Sequence, residues 1–213
     1  MAHGNHQRKI PVKKTVGILV FDQVEVLDFA GPFEVFAVAS ELHDHRLFDV
    51  KLVAKTKEPT IAVNGLSVNP NLAFEEATAL DILIIAGGSG TRALLDDRAT
   101  LQWLRHAIPK ASTCLSICSG ARLLATLGYL DGKPYCTHAE VYNHLSELVP
   151  SGKPQYEKRF VQSDDGLYTS GGISAGIDLS FYILALLHGR EVARRTASYM
   201  EYKGYKESWS DAE

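Results

Sequence analysis

The run Ser112-Thr113-Cys114-Leu115-Ser116-Ile117-Cys118-Ser119-Gly120-Ala121-Arg122-Leu123-Leu124 most limits what this chain can fold into. Small and β-compatible residues lead up to Cys118, and a helix-forming run over residues 121–127 follows at once. Ile117-Cys118-Ser119-Gly120 leaves room for a strand, a very tight turn and a helix, with a nucleophilic side chain at the turn. A small residue two places after the nucleophile lets the helix pass close to the strand, as in the nucleophile elbow of hydrolases. Gly120 occupies that place. A cysteine at a helix N-terminus is expected to favour thiolate, because it feels the positive end of the helix dipole. The competing reading makes Cys118 a small buried hydrophobe, the commonest fate of a free cysteine.

The surrounding pattern sets the architecture. Residues 16–21 and 80–86 are near-continuous apolar runs, as strands buried on both faces require. Residues 48–54 alternate as a further strand. Residues 60–68 read as a hairpin about Asn64-Gly65, and residues 160–170 as a strand pair broken at Asp164-Asp165-Gly166. Residues 135–137 form a short strand. Helical spacing marks residues 28–39, where Pro32 suits the first turn, and also residues 99–108, 139–148, 174–187 and 191–202. Alternating strands and helices predict an α/β fold: a mainly parallel sheet in a three-layer sandwich, with helices on both faces. Functional groups in such sheets collect at the carboxyl ends of strands. Asp28, Gly87-Gly88 and Cys118 all fall there.

Bulk properties exclude several classes. The chain has 213 residues, 46% hydrophobic and 22% charged, which suits one large soluble domain. A formal net charge of -3 offers no basic field for nucleic acid or membrane. The longest apolar run, residues 179–187, is far short of the ~20 residues that span a bilayer. Residues 1–14 are polar and basic without an apolar core, so they are expected to be a disordered tail rather than a secretory signal. The domain is expected over residues 15–213. Three cysteines without a disulfide-like framework fit a reducing cytoplasm.

Candidate chemistry centres on few residues. Asp28 directly precedes a helix, where an aspartate commonly caps free N–H groups. Beside the Cys118 thiolate its carboxyl would have a raised pKa, and it could act as a general acid. Glu34 is a competitor, expected on the solvent edge of its helix. Gly87-Gly88-Ser89-Gly90 lacks the pattern of a phosphate loop. Close backbone approach, with N–H groups presented to an anionic intermediate, fits it better. Cys136 and His138 could form a thiol-activating pair, whereas a zinc corner lacks a second ligand pair. His43, His45, His106, His144 and His188 are expected at the surface. Tyr202, Tyr205 and Trp209 make the end of the chain a candidate cover for a neighbouring surface, as in a dimer.

The ordered set Val16-Gly17-Ile18-Leu19-Val20-Phe21, Leu27-Asp28-Phe29-Ala30-Gly31-Pro32, Ala86-Gly87-Gly88, Ser116-Ile117-Cys118-Ser119-Gly120-Ala121, Thr137-His138 and residues 169–178 (TSGGISAGID) resembles the ThiJ/PfpI superfamily. The match runs from about residue 16 to 202. It implies a flavodoxin-like sandwich of the glutamine amidotransferase-like class, a cysteine at an elbow, an acidic residue contacting it, and a homodimer. Leu-Asp-x-x-Gly-Pro with Cys-Ser/Thr-Gly is most similar to the isonitrile hydratases, and also resembles the ligand-binding half of AraC-like regulators. The hydratase resemblance implies Cys118 as nucleophile, Asp28 as proton donor and Ser119 as the hydroxyl beside the nucleophile. Backbone N–H groups near Gly88 and Ser119 are the candidate oxyanion donors, and His138 and Ile173 are supporting candidates. Ser119 stands where the peptidase-like branch has histidine, which argues against a protease dyad. The late run Gly-Ile-Ser-Ala-Gly-Ile-Asp lacks the His–Glu pair of glutamine amidotransferases. These residues imply a cofactor-free, metal-free hydratase of a small-molecule substrate. Two alternatives stand beside it: a sensor working through oxidation of Cys118, and a ligand-binding domain without a DNA-binding part.

Overall fold

The computed structural model describes residues 12–206. Elements follow in chain order: β1 (Lys14–Leu19), α1 (Val26–Glu41), β2 (Phe48–Ala54), β3 (Thr60–Ile61), β4 (Ser67–Val68), β5 (Leu72–Ala73), β6 (Ile82–Ile85), α2 (Thr91–Leu94), α3 (Arg98–Ala107) and β7 (Thr113–Ser116). After a 3-10 turn at Cys118–Gly120 come α4 (Ala121–Thr126), β8 (Pro134–Tyr135), α5 (Tyr142–Leu148), β9 (Lys153–Pro154), β10 (Phe160–Asp164), β11 (Leu167–Ser170), α6 (Ala175–His188) and α7 (Arg190–Tyr199). Seven strands form the central sheet in the order β10-β11-β7-β6-β1-β2-β5. All neighbours are parallel except the β10–β11 hairpin. Helices α1, α6 and α7 pack together, and α2 to α5 form a second group. This is the α/β sandwich that the alternating pattern predicts, in the flavodoxin-like form that the resemblance implies.

The apolar runs explain the sheet's centre. Val16, Ile18, Ile82, Leu83, Ile84 and Ile85 are wholly buried, because β1 and β6 lie inside the sheet with helices over both faces. Their carboxyl ends point to one edge, where β1 leads to α1, β6 to Gly87-Gly88 and β7 to Cys118. The turn signals also hold: Asn64 and Gly65 have positive φ in the β3–β4 connection, and Gly166 does so between β10 and β11.

Three details differ from the sequence reading. Helix α1 starts at Val26, so Pro32 lies in its interior and not its first turn. Proline has no N–H for the carbonyl four residues back, that of Asp28, and normally costs a helix ~3 kcal/mol or more. The burial of Phe29, Val35, Phe36 and Ala39 holds α1 through that gap. Strand β8 ends at Tyr135, leaving Cys136 and Thr137 as irregular backbone. Strand β1 begins at Lys14, within the stretch set aside as tail; residues 1–11 lie outside the described residues. Tyr202 and Tyr205 pack on Phe181 of their own chain, with ring centroids 5.3 and 5.5 Å away. The Tyr202 hydroxyl donates to the buried Asp178 at 2.5 Å, which fixes the strap to α6. Trp209 lies outside the described residues. Among those residues, no helix is long and apolar enough to cross a membrane.

Candidate active site

Strand β7 ends at Ser116, and within four residues the chain must reverse into α4. Cys118 makes that turn with φ of 56°, a left-handed conformation that costs a non-glycine residue about 1–3 kcal/mol. The surroundings over-determine it. The Cys118 N–H donates to the Gly171 carbonyl at 3.1 Å, its own carbonyl accepts Thr137 Oγ1 at 2.8 Å, and the Ile117 N–H donates to Ile85 O at 3.0 Å. Gly120 has the role its spacing predicts: a Cβ there would stand 2.3 Å from the Ile85 carbonyl oxygen. The elbow is therefore assembled by β6, β7 and the loop after β11 together.

Asp28 sits in the first turn of α1 but does not cap it. Its side chain is wholly buried, Oδ2 accepts the Gly87 N–H at 3.0 Å, and Oδ1 is sealed from solvent without a conventionally aligned partner. Burial pushes this carboxyl up to about 7, against the lowering effects of the Gly87 N–H, the Cys118 thiol and the Ile173 N–H. Burial, more than a like charge, is thus the cause of the raised pKa; the like charge that adds to it is Glu25. Gly87 is the spacer between the two groups. A methyl added to it would meet Asp28 Oδ2 and Ser119 N at 2.6 Å and Cys118 Cβ at 2.8 Å. Glu34 is exposed, away from this chemistry.

The expected thiolate is not the resting form. Burial first, and then the Asp28 charge, push the Cys118 thiol up to about 12, while the N–H groups of Ser119 and Ile173 oppose the rise. Helix α4 has only six residues, and its end effect does not outweigh desolvation beside a carboxylate. The pair therefore rests as thiol plus carboxylate above pH 7, with a base already placed beside the nucleophile.

Ser119 has a different task from the one expected. Its Oγ accepts the Gly88 N–H at 2.8 Å and donates to the Gly88 carbonyl at 3.0 Å, while Thr91 Oγ1 lies 3.2 Å away. The hydroxyl is a latch between the elbow and the β6–α2 loop. It also uses the Gly88 N–H, which is consequently not free to receive an oxyanion. The N–H groups that face the sulfur are those of Ser119 and Ile173, the latter presented by a left-handed residue with φ of 52°. His138 lines the cavity over Cys118 and accepts the Glu140 N–H through Nδ1 at 3.2 Å. Cys136 is not paired with it; its S–H points to the carbonyls of Gln155 and Lys158. Cys114 is buried in β7, with its thiol pushed up to about 12 by burial.

The cavity over Cys118 has a volume of about 240 Å³. Arg122, Arg92 and Glu25 help to line it, and the sequence reading singled out none of them for the site. Arg122 stands four residues after Cys118 within an apolar helix run, and its place on the cavity emerges only from the fold. His144, expected at the surface, is half-buried and accepts Arg122 Nε at 3.0 Å.

Comparison with known proteins agrees with this geometry. The model of the DJ-1/PfpI family matches residues 14–186. The isonitrile hydratase of Pseudomonas putida is 33% identical over 187 residues, covering 88% of this chain and 78% of that protein. The HTH-type transcriptional regulator CdhR of Pseudomonas aeruginosa is 31% identical over 176 residues, covering 82% of this chain and 51% of the regulator. The chain thus spans about half the length of that regulator. The crystal structure of a ThiJ/PfpI family protein from Pseudomonas syringae superposes with a TM-score of 0.81 at 26% identity, covering 95% of this chain and 81% of that one. With a family model spanning most of its length, and a cysteine elbow and buried acid at the sheet's carboxyl edge, the chain belongs to the DJ-1/PfpI family.

Proposed function

We propose that this chain is a cofactor-free hydratase that adds water to an isonitrile and releases an N-substituted formamide. One observation carries the reading: a cysteine held in a left-handed turn lies against a sealed carboxyl whose pKa sits near neutrality. The similarity to the isonitrile hydratase of Pseudomonas putida supports it. The Asp28 carboxylate takes the S–H proton as the Cys118 sulfur bonds to the isonitrile carbon. The same proton then goes to that carbon, giving the thioimidate R–N=CH–S–Cys118. Water adds to this carbon, the C–S bond breaks, the sulfur regains its proton, and R–NH–CHO leaves. The Ser119 and Ile173 N–H groups hold the sulfur while it carries charge. Ser119 contributes through this N–H and through its latch on Gly88.

Sensing by cysteine oxidation is the weaker reading, because it asks for an accessible thiolate of low pKa. Cys118 is buried and its thiol is pushed up. Family membership supports a homodimer as the assembly, which light scattering tests by a mass twice that of the chain. The functional test is direct. Purified protein is incubated with a series of alkyl and aryl isonitriles, and formamide is followed by mass spectrometry. Absence of formamide from the whole series, with oxygen gain on Cys118 under peroxide, would replace the hydratase with the sensor.

A further inference from the structure

The cavity over Cys118 carries a positive charge, Arg122, which the Cys118 sulfur balances only while it is ionised. Arg122 is only 3% exposed. A buried guanidinium is costly unless an anion compensates it, and with Cys118 resting as a thiol this one has none at ion-pair distance among the described residues. Its Nε donates to His144 Nδ1 at 3.0 Å and its Nη1 to Thr91 Oγ1 at 2.9 Å, both neutral acceptors. Its Nη2 has no partner among the described residues, and the guanidinium lines the cavity. The other arginine at the cavity, Arg92, is exposed at the rim and adds a like charge. Neither arginine forms an ion pair among the described residues. Glu25 and Glu140 also line the cavity but lie beyond ion-pair distance of both.

We propose that this cavity is a binding site for a small carboxylate, with Arg122 as its fixed anchor and Arg92 as its rim. Two contacts, to His144 and Thr91, hold the guanidinium plane in place, so its free edge is presented to a ligand without loss of side-chain freedom. A planar fork of N–H donors matches a carboxylate. Arg122 and Cys118 line the same cavity, so a ligand seated on the guanidinium brings its other end toward the sulfur. A volume of about 240 Å³ admits a small ligand of roughly ten heavy atoms, given that ~150 Å³ suffices for benzene. Joined to the hydratase reading, on which this one step rests, the site selects an isonitrile that itself bears a carboxylate.

Two matched electrophiles test the site without any turnover. Iodoacetate and iodoacetamide differ in charge and little in size. With either, the Cys118 sulfur bonds to the CH₂ carbon, iodide leaves with its electron pair, and the thiol proton passes to Asp28. The ratio of their rates at Cys118, read by peptide mass spectrometry, is compared with the ratio for 2-mercaptoethanol. The site predicts a ratio at least about tenfold higher in the protein, the scale of one charge-assisted hydrogen bond. Arg122→Gln should remove the preference, Arg122→Lys should keep part of it, and Arg92→Ala should reduce it. Should Arg122→Gln fold poorly, the wild-type protein still answers: propionate should slow iodoacetamide labelling and propionamide should not. A ratio equal to or below that of 2-mercaptoethanol, or equal protection by propionate and propionamide, overturns the proposal. Loss of formamide formation with the iodoacetate preference intact would sink the hydratase reading and leave the anion site standing.

Discussion

Asp28 and Gly87 meet across a contact that admits no side chain: the Gly87 N–H donates to Asp28 Oδ2 at 3.0 Å, and a Cβ on Gly87 would stand 2.6 Å from that oxygen. The glycine thus lets helix α1 deliver a carboxyl to the end of β6 while it supplies the carboxyl's one well-aligned hydrogen bond. Substitution of Gly87 by alanine should therefore damage both elements. Overpacking against fixed atoms costs about 1–3 kcal/mol, and here two of the three atoms struck belong to Asp28 and Cys118. Urea denaturation should show a lowered midpoint, and Cys118 should lose its selective alkylation. A stable variant with unchanged labelling would mean the loop simply shifts aside.

The buried carboxyl makes stability depend on pH in a definite direction. Folding raises Asp28 from the ordinary carboxylate range to about 7, so the folded state holds its proton more tightly than the unfolded chain. The stabilisation this gives is complete below about pH 4, is lost as pH rises through 7, and is gone above that. At ~1.4 kcal/mol per pH unit, the loss is on the order of a few kcal/mol. Asp28→Asn, which cannot ionise, should flatten this part of the curve and gain on the wild type between pH 5 and 8. Denaturant titrations of both proteins at four pH values would show it; parallel curves would place the raised pKa elsewhere.

Much of this was legible in the chain because local chemistry and global fold agree. Ile117-Cys118-Ser119-Gly120 allows little besides an elbow, and Gly120 meets the Ile85 carbonyl as that pattern demands. Other features were hidden because tertiary context decides them. Pro32 reads as a helix start, yet packing of the Phe29 and Phe36 face carries α1 past it. Cys118 reads as a helix-end thiolate, yet burial beside Asp28 outweighs a six-residue helix. Arg122 is masked by its apolar neighbours, and only the fold shows that its guanidinium lines the cavity with no anion paired to it. Ser119 looks like a free hydroxyl until Gly88 is seen to occupy both its lone pair and its proton.

The strap formed by Tyr202 gives a stability prediction apart from the chemistry. Asp178 is buried and accepts Tyr202 Oη on Oδ1 and Arg159 Nε on Oδ2. Tyr202→Phe leaves Oδ1 without its donor, which costs about 1–3 kcal/mol. The urea midpoint should fall with an unchanged slope, and mass by light scattering should not change. A change in mass with little loss of stability would instead give the tail the dimer-covering role that its aromatic content suggests.

The catalytic residues should rank in a fixed order, and the order tests the mechanism. Cys118→Ala should abolish formamide formation, since the covalent adduct has no other sulfur within the cavity; Cys114 and Cys136 are buried elsewhere. Asp28→Asn should cost on the order of 10²–10⁴-fold, because an amide cannot take the thiol proton and return it. Wild-type activity should rise with pH through about 7 as Asp28 ionises, and this rise should vanish in the variant. Ser119→Ala should be milder and of a different kind. It breaks the latch to Gly88, so the loss, about 0.5–1.5 kcal/mol per hydrogen bond, should appear in stability as well as turnover. Ser119→Thr keeps the hydroxyl and should restore most of both. If turnover survives Asp28→Asn with its pH dependence intact, another group takes the proton. His138, on the cavity wall, would then be the residue to replace.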